Sequence, residues 1–296
     1  MTLTLYITTV LIWGSSWIMF DLQTGIVPAE VSGVYRFAAA AIVMFFWARV
    51  RGDTLIFTAR EHIMLALQGA SMFALNIVFL YLAAGYLPSG LNAVVFSMAS
   101  IISMFAGVIF CRRVPLVWSV IGAMIGVLGV AVIFWPEITG LELTEGTGFG
   151  LLLSLAGTTS FAVSVLIAER NQKLGLSEHG GLAWAMAYGT FLMCLIALFR
   201  GNSFIFDVSF SYVGSLVFLI IFNSVFAFAI YFALINRVGA ERSAYVTVLF
   251  PVVALVISTI FEDYEWSFLA FVGVGLTLIG NFLVLRGSLA TKSARI

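Results

Sequence analysis

Long apolar runs separated by short polar connections divide the chain into ten segments. They cover approximately 3–20, 31–48, 63–86, 90–110, 115–135, 149–168, 180–199, 211–234, 241–261 and 266–286. An α-helix of about 20 apolar residues crosses the hydrocarbon layer of a bilayer, and about 17 suffice. Apolar positions run nearly all the way round each segment instead of marking one stripe, as contact with both lipid and protein requires. The alternation of polar and apolar positions that builds a closed β-barrel is missing. The pattern therefore predicts an all-α membrane protein of ten transmembrane helices. Pro28, Pro88, Pro115 and Pro136 stand at segment boundaries, where a missing N–H costs little, and Pro251 alone lies inside a segment.

The pattern also repeats. At a shift of 151 residues Ala93 falls on Ala244, Tyr81 on Phe232, Gly122 on Gly273 and Gly129 on Gly280. Near the end of the fourth segment stand Arg112 and Arg113; at the matching place in the second half stand Glu262 and Asp263. A shared pattern whose flanking charges change sign is what two homologous halves inserted in opposite senses leave behind. The expected organisation is a first five-helix repeat over 1–138, a second, inverted repeat over 146–288, and a cytoplasmic tail over 289–296. The loop from Pro136 to Gly148 is too short for a domain of its own, so the halves form one unit.

Charge sets the direction. With the N-terminus inside, the cytoplasmic connections hold Arg49, Arg51, Arg60, Arg112, Arg113, Arg170, Lys173, Arg237 and Arg242, followed by Arg286, Lys292 and Arg295 in the tail; the opposite side holds Arg200 alone. This is a strong positive-inside signal, and it places both termini in the cytoplasm. The acids Asp21, Glu30, Glu137, Glu142, Glu145, Asp207, Glu262, Asp263 and Glu265 fall outside. Only 9% of residues are charged and 62% are hydrophobic, against roughly a quarter charged in a soluble domain. With zero net charge nothing points to nucleic acid. Cys111 and Cys194 imply no disulfide framework. Leu3 to Phe20 has neither a basic leader nor a small-residue cleavage site before Asp21, and reads as a retained span.

Candidate chemistry lies in the few polar residues inside the spans. Trp13 and Trp17 lie one turn apart on the first helix around Gly14-Ser15-Ser16, an aromatic shelf beside hydroxyls that suits an organic solute with an apolar body and polar ends. Gly14 and Pro251 are candidate gating or hinge points. Ser243, Thr247, Pro251, Ala254 and Ser258 form one helical stripe, matched by Asn92, Phe96, Ser100, Ser103 and Gly107 in the first half. Such stripes serve either close helix packing or a central pathway. Buried amides are costly in hydrocarbon, which singles out Asn76 and Asn223. Arg36 is the one basic residue inside a span, about 9 Å from Glu30 along a helix. It reads first as an anchor that snorkels outward, with contact to a substrate carboxylate as the alternative. Gly122, Gly126 and Gly129, with Gly273, Gly275 and Gly280, predict a scaffold pairing of the fifth and tenth helices away from the solute. No Asp, Glu, Lys or His lies deep in a span, and His62 and His179 sit at its edge. Neither an intramembrane protease nor a metal-dependent enzyme is expected, and no cofactor or metal. A carboxylate-relayed proton pump is not expected either.

Trp13-Gly14-Ser15-Ser16-Trp17, Tyr35-Arg36-Phe37, Tyr81-Leu82-Ala83-Ala84, the stretch Ala244 to Pro251, Glu262, Gly273 and Gly280 together resemble the ten-helix, EamA-type branch of the drug/metabolite transporter superfamily, from about Leu11 to Leu285. Ser100 departs from the pattern, replacing a frequent proline, and Cys111 stands where the second repeat has Glu262. The resemblance implies five-plus-five inverted repeats, a central cavity and alternating access. The members it looks most like export amino acids, including aromatic ones, and related metabolites across the bacterial inner membrane. The expected function is therefore export of such small solutes by exchange or facilitated movement. A purine, nucleoside or sugar-like metabolite carrier is the alternative, followed by a proton-coupled drug exporter. Expected cavity liners, on helices 1, 3, 4, 6, 8 and 9, are Trp13, Ser16, Trp17, Asn76, Tyr81, Ser97, Ser100, Ser160, Asn223, Tyr231 and Thr247. The partners expected are the solute and the lipid bilayer; the sequence leaves the oligomeric state open, and a monomer is compatible with it.

Overall fold

A computed structural model describes residues 2–23, 25–111, 114–115, 117–133, 135, 146–239, 243, 246–262 and 266–293; of 111, 248 and 284–293 only the backbone is described. Arg112, Arg113, Arg242, Ala244, Asp263, Glu265, Arg295 and the linker acids Glu137, Glu142 and Glu145 lie outside these residues. Every regular element among them is helical: α1 (Thr2–Asp21), α2 (Ala29–Arg51), α3 (Ala59–Ala84), α4 (Ser89–Phe110), α5 (Val117–Ile133), α6 (Thr147–Lys173), α7 (Glu178–Phe199), α8 (Phe210–Val238), α9 (Val246–Phe261) and α10 (Phe268–Ser293). Seven of these, α1 to α4 and α6 to α8, are long and apolar enough to cross a membrane. The apolar parts of α5, α9 and α10 are shorter over the described residues.

Local sequence explains where the helices stop and start. α2 begins after Pro28 with Glu30 in its first turn, and ends with Arg49 and Arg51 facing the negative end of its dipole. Gly52 then takes the left-handed conformation at φ 74°, returning its N–H to Ala48 and Arg49 carbonyls. Thr58 opens α3 with a capping box: its side chain accepts from the Glu61 N–H, and the Thr58 N–H donates to Glu61 at 2.7 Å. Ser177 and Ser209 cap α7 and α8 in the same way through a hydroxyl.

The helix pairing is reciprocal. α1 lies along α9 as α6 lies along α4, and α3 packs on α6 as α8 packs on α1. α2 pairs with α7 and α5 with α10. The α5–α10 contact is the most extensive, and glycine permits it: a Cβ on Gly129 would lie 2.5 Å from the Thr277 nitrogen and 2.6 Å from the Gly273 carbonyl oxygen. This is the scaffold pairing expected from the spaced glycines. α3 and α7 meet equally closely at Gly69 and Gly189.

Polar contacts sort the connections onto two faces. On one, Asp53 meets His179 at 2.7 Å and the Trp184 indole donates to the Leu55 carbonyl at 3.0 Å. On the other, buried Glu30 pairs with Arg200 and accepts from Asn202 at 3.0 Å, while Gln23 donates to the Tyr212 carbonyl at 2.9 Å. Ser89 donates to Glu262 at 2.7 Å on this second face.

Candidate functional site

Between the two faces α1, α2, α3, α4, α6, α8 and α9 surround a cavity. It is lined by Trp13, Ser16, Trp17, Phe20, Arg36, Asn76, Ile77, Leu80, Phe96, Phe161, Asn223, Phe228 and Phe250. Counted with the space open to solvent, its empty volume is about 390 Å³.

The walls are a continuous set of ring contacts. Trp13 packs against Phe161, Phe228 and Tyr231 with centroids 5.9, 5.2 and 4.7 Å away. One turn on, Trp17 stacks on Phe250 at 5.7 Å and meets Phe96 edge-on at 5.5 Å. Phe96 closes the circuit against Phe161 at 4.8 Å. Edge-to-face and offset pairs at these separations are favourable beyond the area they bury.

Polar groups enter this apolar wall at two π-helical turns. α3 widens over Ala70–Leu75, immediately before Asn76. α8 widens over Leu219–Phe226, which contains Asn223 and Ser224. At the 151-residue shift the two turns coincide, as do the liners Ile77 and Phe228. Wide turns inside α-helices are frequent at functional sites, because the extra residue re-aims the side chains that follow. The Asn76 amide donates to the Met72 carbonyl at 3.1 Å, while its Oδ1 is buried without a hydrogen-bond partner.

Arg36 is the central polar group. Its side chain is 0% exposed, so the preferred reading of it as an anchor is corrected: the guanidinium turns inward and does not snorkel to the interface. Nε donates to Ser224 Oγ at 2.8 Å and Nη2 donates to Asn223 Oδ1. Its Cζ sits 4.6 Å from the Phe37 ring centroid and 5.0 Å from that of Phe20. Both hydrogen-bond partners are neutral, and no carboxylate lines the cavity among the described residues.

Of the expected liners, Trp13, Ser16, Trp17, Asn76 and Asn223 meet at this cavity, together with Arg36. The others do not line it. Tyr81 and Tyr231 form a second layer, with Tyr81 against Phe20 at 4.8 Å and Tyr231 behind Trp13. Ser97 and Ser100 turn toward α10, where Ser100 donates to Asn281. Ser160 donates to the Ser71 carbonyl at 2.8 Å, and Thr247 is fully buried outside the cavity wall. Of these, Ser100 and Thr247 belong to the polar stripes, whose member Phe96 does line the cavity. Gly14 lies where α1 crosses α9: a Cβ there would meet Val253 Cβ at 2.6 Å, so its small size permits the close contact. Pro251 lies inside α9 next to the liner Phe250 and gives the Thr247 carbonyl no N–H.

Phe96 stands in a polar stripe, but nothing local in the sequence marks Phe20, Phe161, Phe228 and Phe250 as walls. With 28 phenylalanines in the chain, no local signal separates cavity-facing rings from lipid-facing ones. The pairing of the two wide turns with Asn76 and Asn223 was half visible, since the buried amides mark them.

The comparisons with known proteins agree with a carrier. An uncharacterized transporter of Archaeoglobus fulgidus is 24% identical over 286 residues, covering 94% of this chain and 96% of its own. The uncharacterized inner membrane transporter YedA of Escherichia coli K12 is 25% identical over 279 residues, covering 94% and 88%. The protein PagO of Salmonella typhimurium is 23% identical over 291 residues, covering 95% and 91%. One solved crystal structure superimposes with a TM-score of 0.69 at 15% identity over 98% of both chains, a likeness of fold alone. The EamA-like transporter family matches residues 1–135 and again 148–286. A multi-pass helical chain whose two matched stretches close round an aromatic cavity therefore belongs to the EamA-like transporter family.

Proposed function

We propose that this protein exports amino acids, aromatic ones among them, and related small metabolites across a bacterial inner membrane. Ten transmembrane helices form two inverted five-helix repeats with both termini in the cytoplasm. The repeats rock about the cavity, opening it to one side at a time. The observation that carries this reading is the composition of the cavity: aromatic faces from both halves around two amides, a hydroxyl and one guanidinium. Such a site favours a solute with a flat or branched apolar body and a polar end. The reciprocal packing of α1 on α9 and α6 on α4 supports the inverted-repeat arrangement. With no carboxylate among the described liners, movement is by exchange or facilitated flux instead of a proton relay.

Counterflow in proteoliposomes tests this. Vesicles loaded with unlabelled tryptophan, phenylalanine or leucine should accumulate the labelled compound transiently, with or without a pH gradient. Absence of flux for every amino acid, with flux of nucleobases or sugars, replaces the reading with the alternative carrier. Uphill accumulation driven by the pH gradient refutes the uncoupled mechanism.

A further inference from the structure

Resting on that transport reading, we infer that Arg36 is the receptor for a single carboxylate, and that a solute without one is excluded from the cavity. The guanidinium is fully buried, and it is a cation. Its hydrogen bonds go to Ser224 and Asn223, which supply dipoles but no opposite charge. The rings of Phe20 and Phe37 beside it supply only their quadrupoles. A third group, Nη1, is buried with no hydrogen-bond partner. Tyr81 approaches the guanidinium, yet its hydroxyl makes no well-aligned hydrogen bond.

A buried cation with neutral partners and an open N–H is energetically incomplete, and an arriving anion completes it. One cation balances one charge, so a carboxylate matches and a phosphate, carrying ≈ −1.5 to −2, over-fills the site. The 151-residue shift carries Arg36 onto Ala187, so the second half offers no equal cation to this position. The acceptor left over in the cavity wall is Asn76 Oδ1, a neutral contact available to an ammonium. The two ends of an amino acid are therefore read unequally: the carboxylate is required, and the amine adds a smaller increment. Deaminated acids bind; decarboxylated amines do not.

The test uses the full chain in lipid nanodiscs and two matched sets: tryptophan, 3-indolepropionate and tryptamine; leucine, 4-methylpentanoate and isopentylamine. Binding is read from thermal stabilisation and from quenching of tryptophan emission. In at least one set the amino acid and the deaminated acid should bind, with the amine at least tenfold weaker. Arg36→Gln should abolish this preference, and Arg36→Lys should retain it in part. Because the wild-type comparison needs no variant, the inference stays testable if a substitution fails to fold. Equal binding of amine and acid, no binding by any compound, tighter binding of phenyl phosphate than of indolepropionate, or an unchanged preference in a folded Arg36→Gln protein overturns it. Counterflow of amino acids that is blocked equally by their amines overturns the carboxylate requirement and leaves transport standing. Carboxylate binding without any flux does the reverse.

Discussion

Gly69 gives the sharpest test of the packing. It lies on α3 where the helix crosses α7, and a Cβ there would run into the Ala185 carbonyl oxygen, with that carbonyl's carbon 2.9 Å and the Gly189 nitrogen 3.0 Å away. These atoms are all backbone, so no rotamer change makes room. The helices must part in the Gly69→Ala protein. Overpacking of this kind costs about 1–3 kcal/mol, and a rigid obstacle belongs at the upper end. Alanine returns up to about 1 kcal/mol through its better helix propensity. The net loss is about 2 kcal/mol, or on the order of 5 °C in melting temperature. Gly214 is the control: it lies in α8, and a Cβ there would meet nothing within 4 Å. Gly214→Ala should hold or raise stability by about 0.5–1 kcal/mol. Thermal unfolding of both purified variants, followed by loss of the monodisperse peak, reads the difference. Because Gly69 adjoins the wide turn Ala70–Leu75, its displacement should also weaken solute binding at Asn76. If Gly69→Ala melts at or above the wild type, the backbone contact between α3 and α7 is misdescribed.

Trp17→Ala removes the ring stacked on Phe250 and should weaken solute binding more than tenfold, as measured by titration of the purified protein. Asn223→Ala takes one acceptor from a buried guanidinium and should cost about 1.5–3 kcal/mol in thermal unfolding; an unchanged melting point would refute the pairing. Arg200→Ala should destabilise more than Glu30→Ala, because the Glu30 side chain is 2% exposed and would be left buried and charged, whereas that of Arg200 is 52% exposed and can be hydrated; the reverse order in melting temperature contradicts this. In a protein lacking Cys111 and Cys194, single cysteines replacing Asp53 or Lys173 should react with a membrane-impermeant thiol reagent from the cytoplasmic side. Those replacing Asn202 or Asp207 should react from the opposite side. Labelling of both sets from one side would undo the proposed topology.

The helices were legible because each apolar run carries its own punctuation: Pro28 before α2, Gly52 after it, Thr58 and Glu61 at the start of α3. The α5–α10 pairing was legible because Gly129 and Gly280 have no function in a lipid-facing helix other than contact. The site was harder. Arg36 was placed at the right depth by counting 1.5 Å per residue, but counting says nothing about azimuth. Whether its side chain reaches outward or inward depends on Asn223 and Ser224, nearly 190 positions away in the chain. Ser97 and Ser100 looked like liners because a hydroxyl in a span has the same composition whether it faces a solute or the Asn281 amide. The rings of Phe161 and Phe250 are invisible as walls for the matching reason. The π-turns carry no proline or glycine within Ala70–Leu75 or Leu219–Phe226 to announce them.

Those turns each take up a residue that a regular helix would turn into rotation. Each consecutive residue of an α-helix rotates about 100° round the axis. If Ala70–Leu75 tightened into regular α-helix with no residue removed, Asn76, Ile77 and Leu80 would swing through about 100° and off the solute, whereas deleting one residue there would tighten the turn and keep their facing. The same tightening between Leu219 and Phe226, with no residue removed, would carry Phe228 away on the other side. One surplus residue in each half acts as a fixed angular offset that keeps the lining pointed at a common centre.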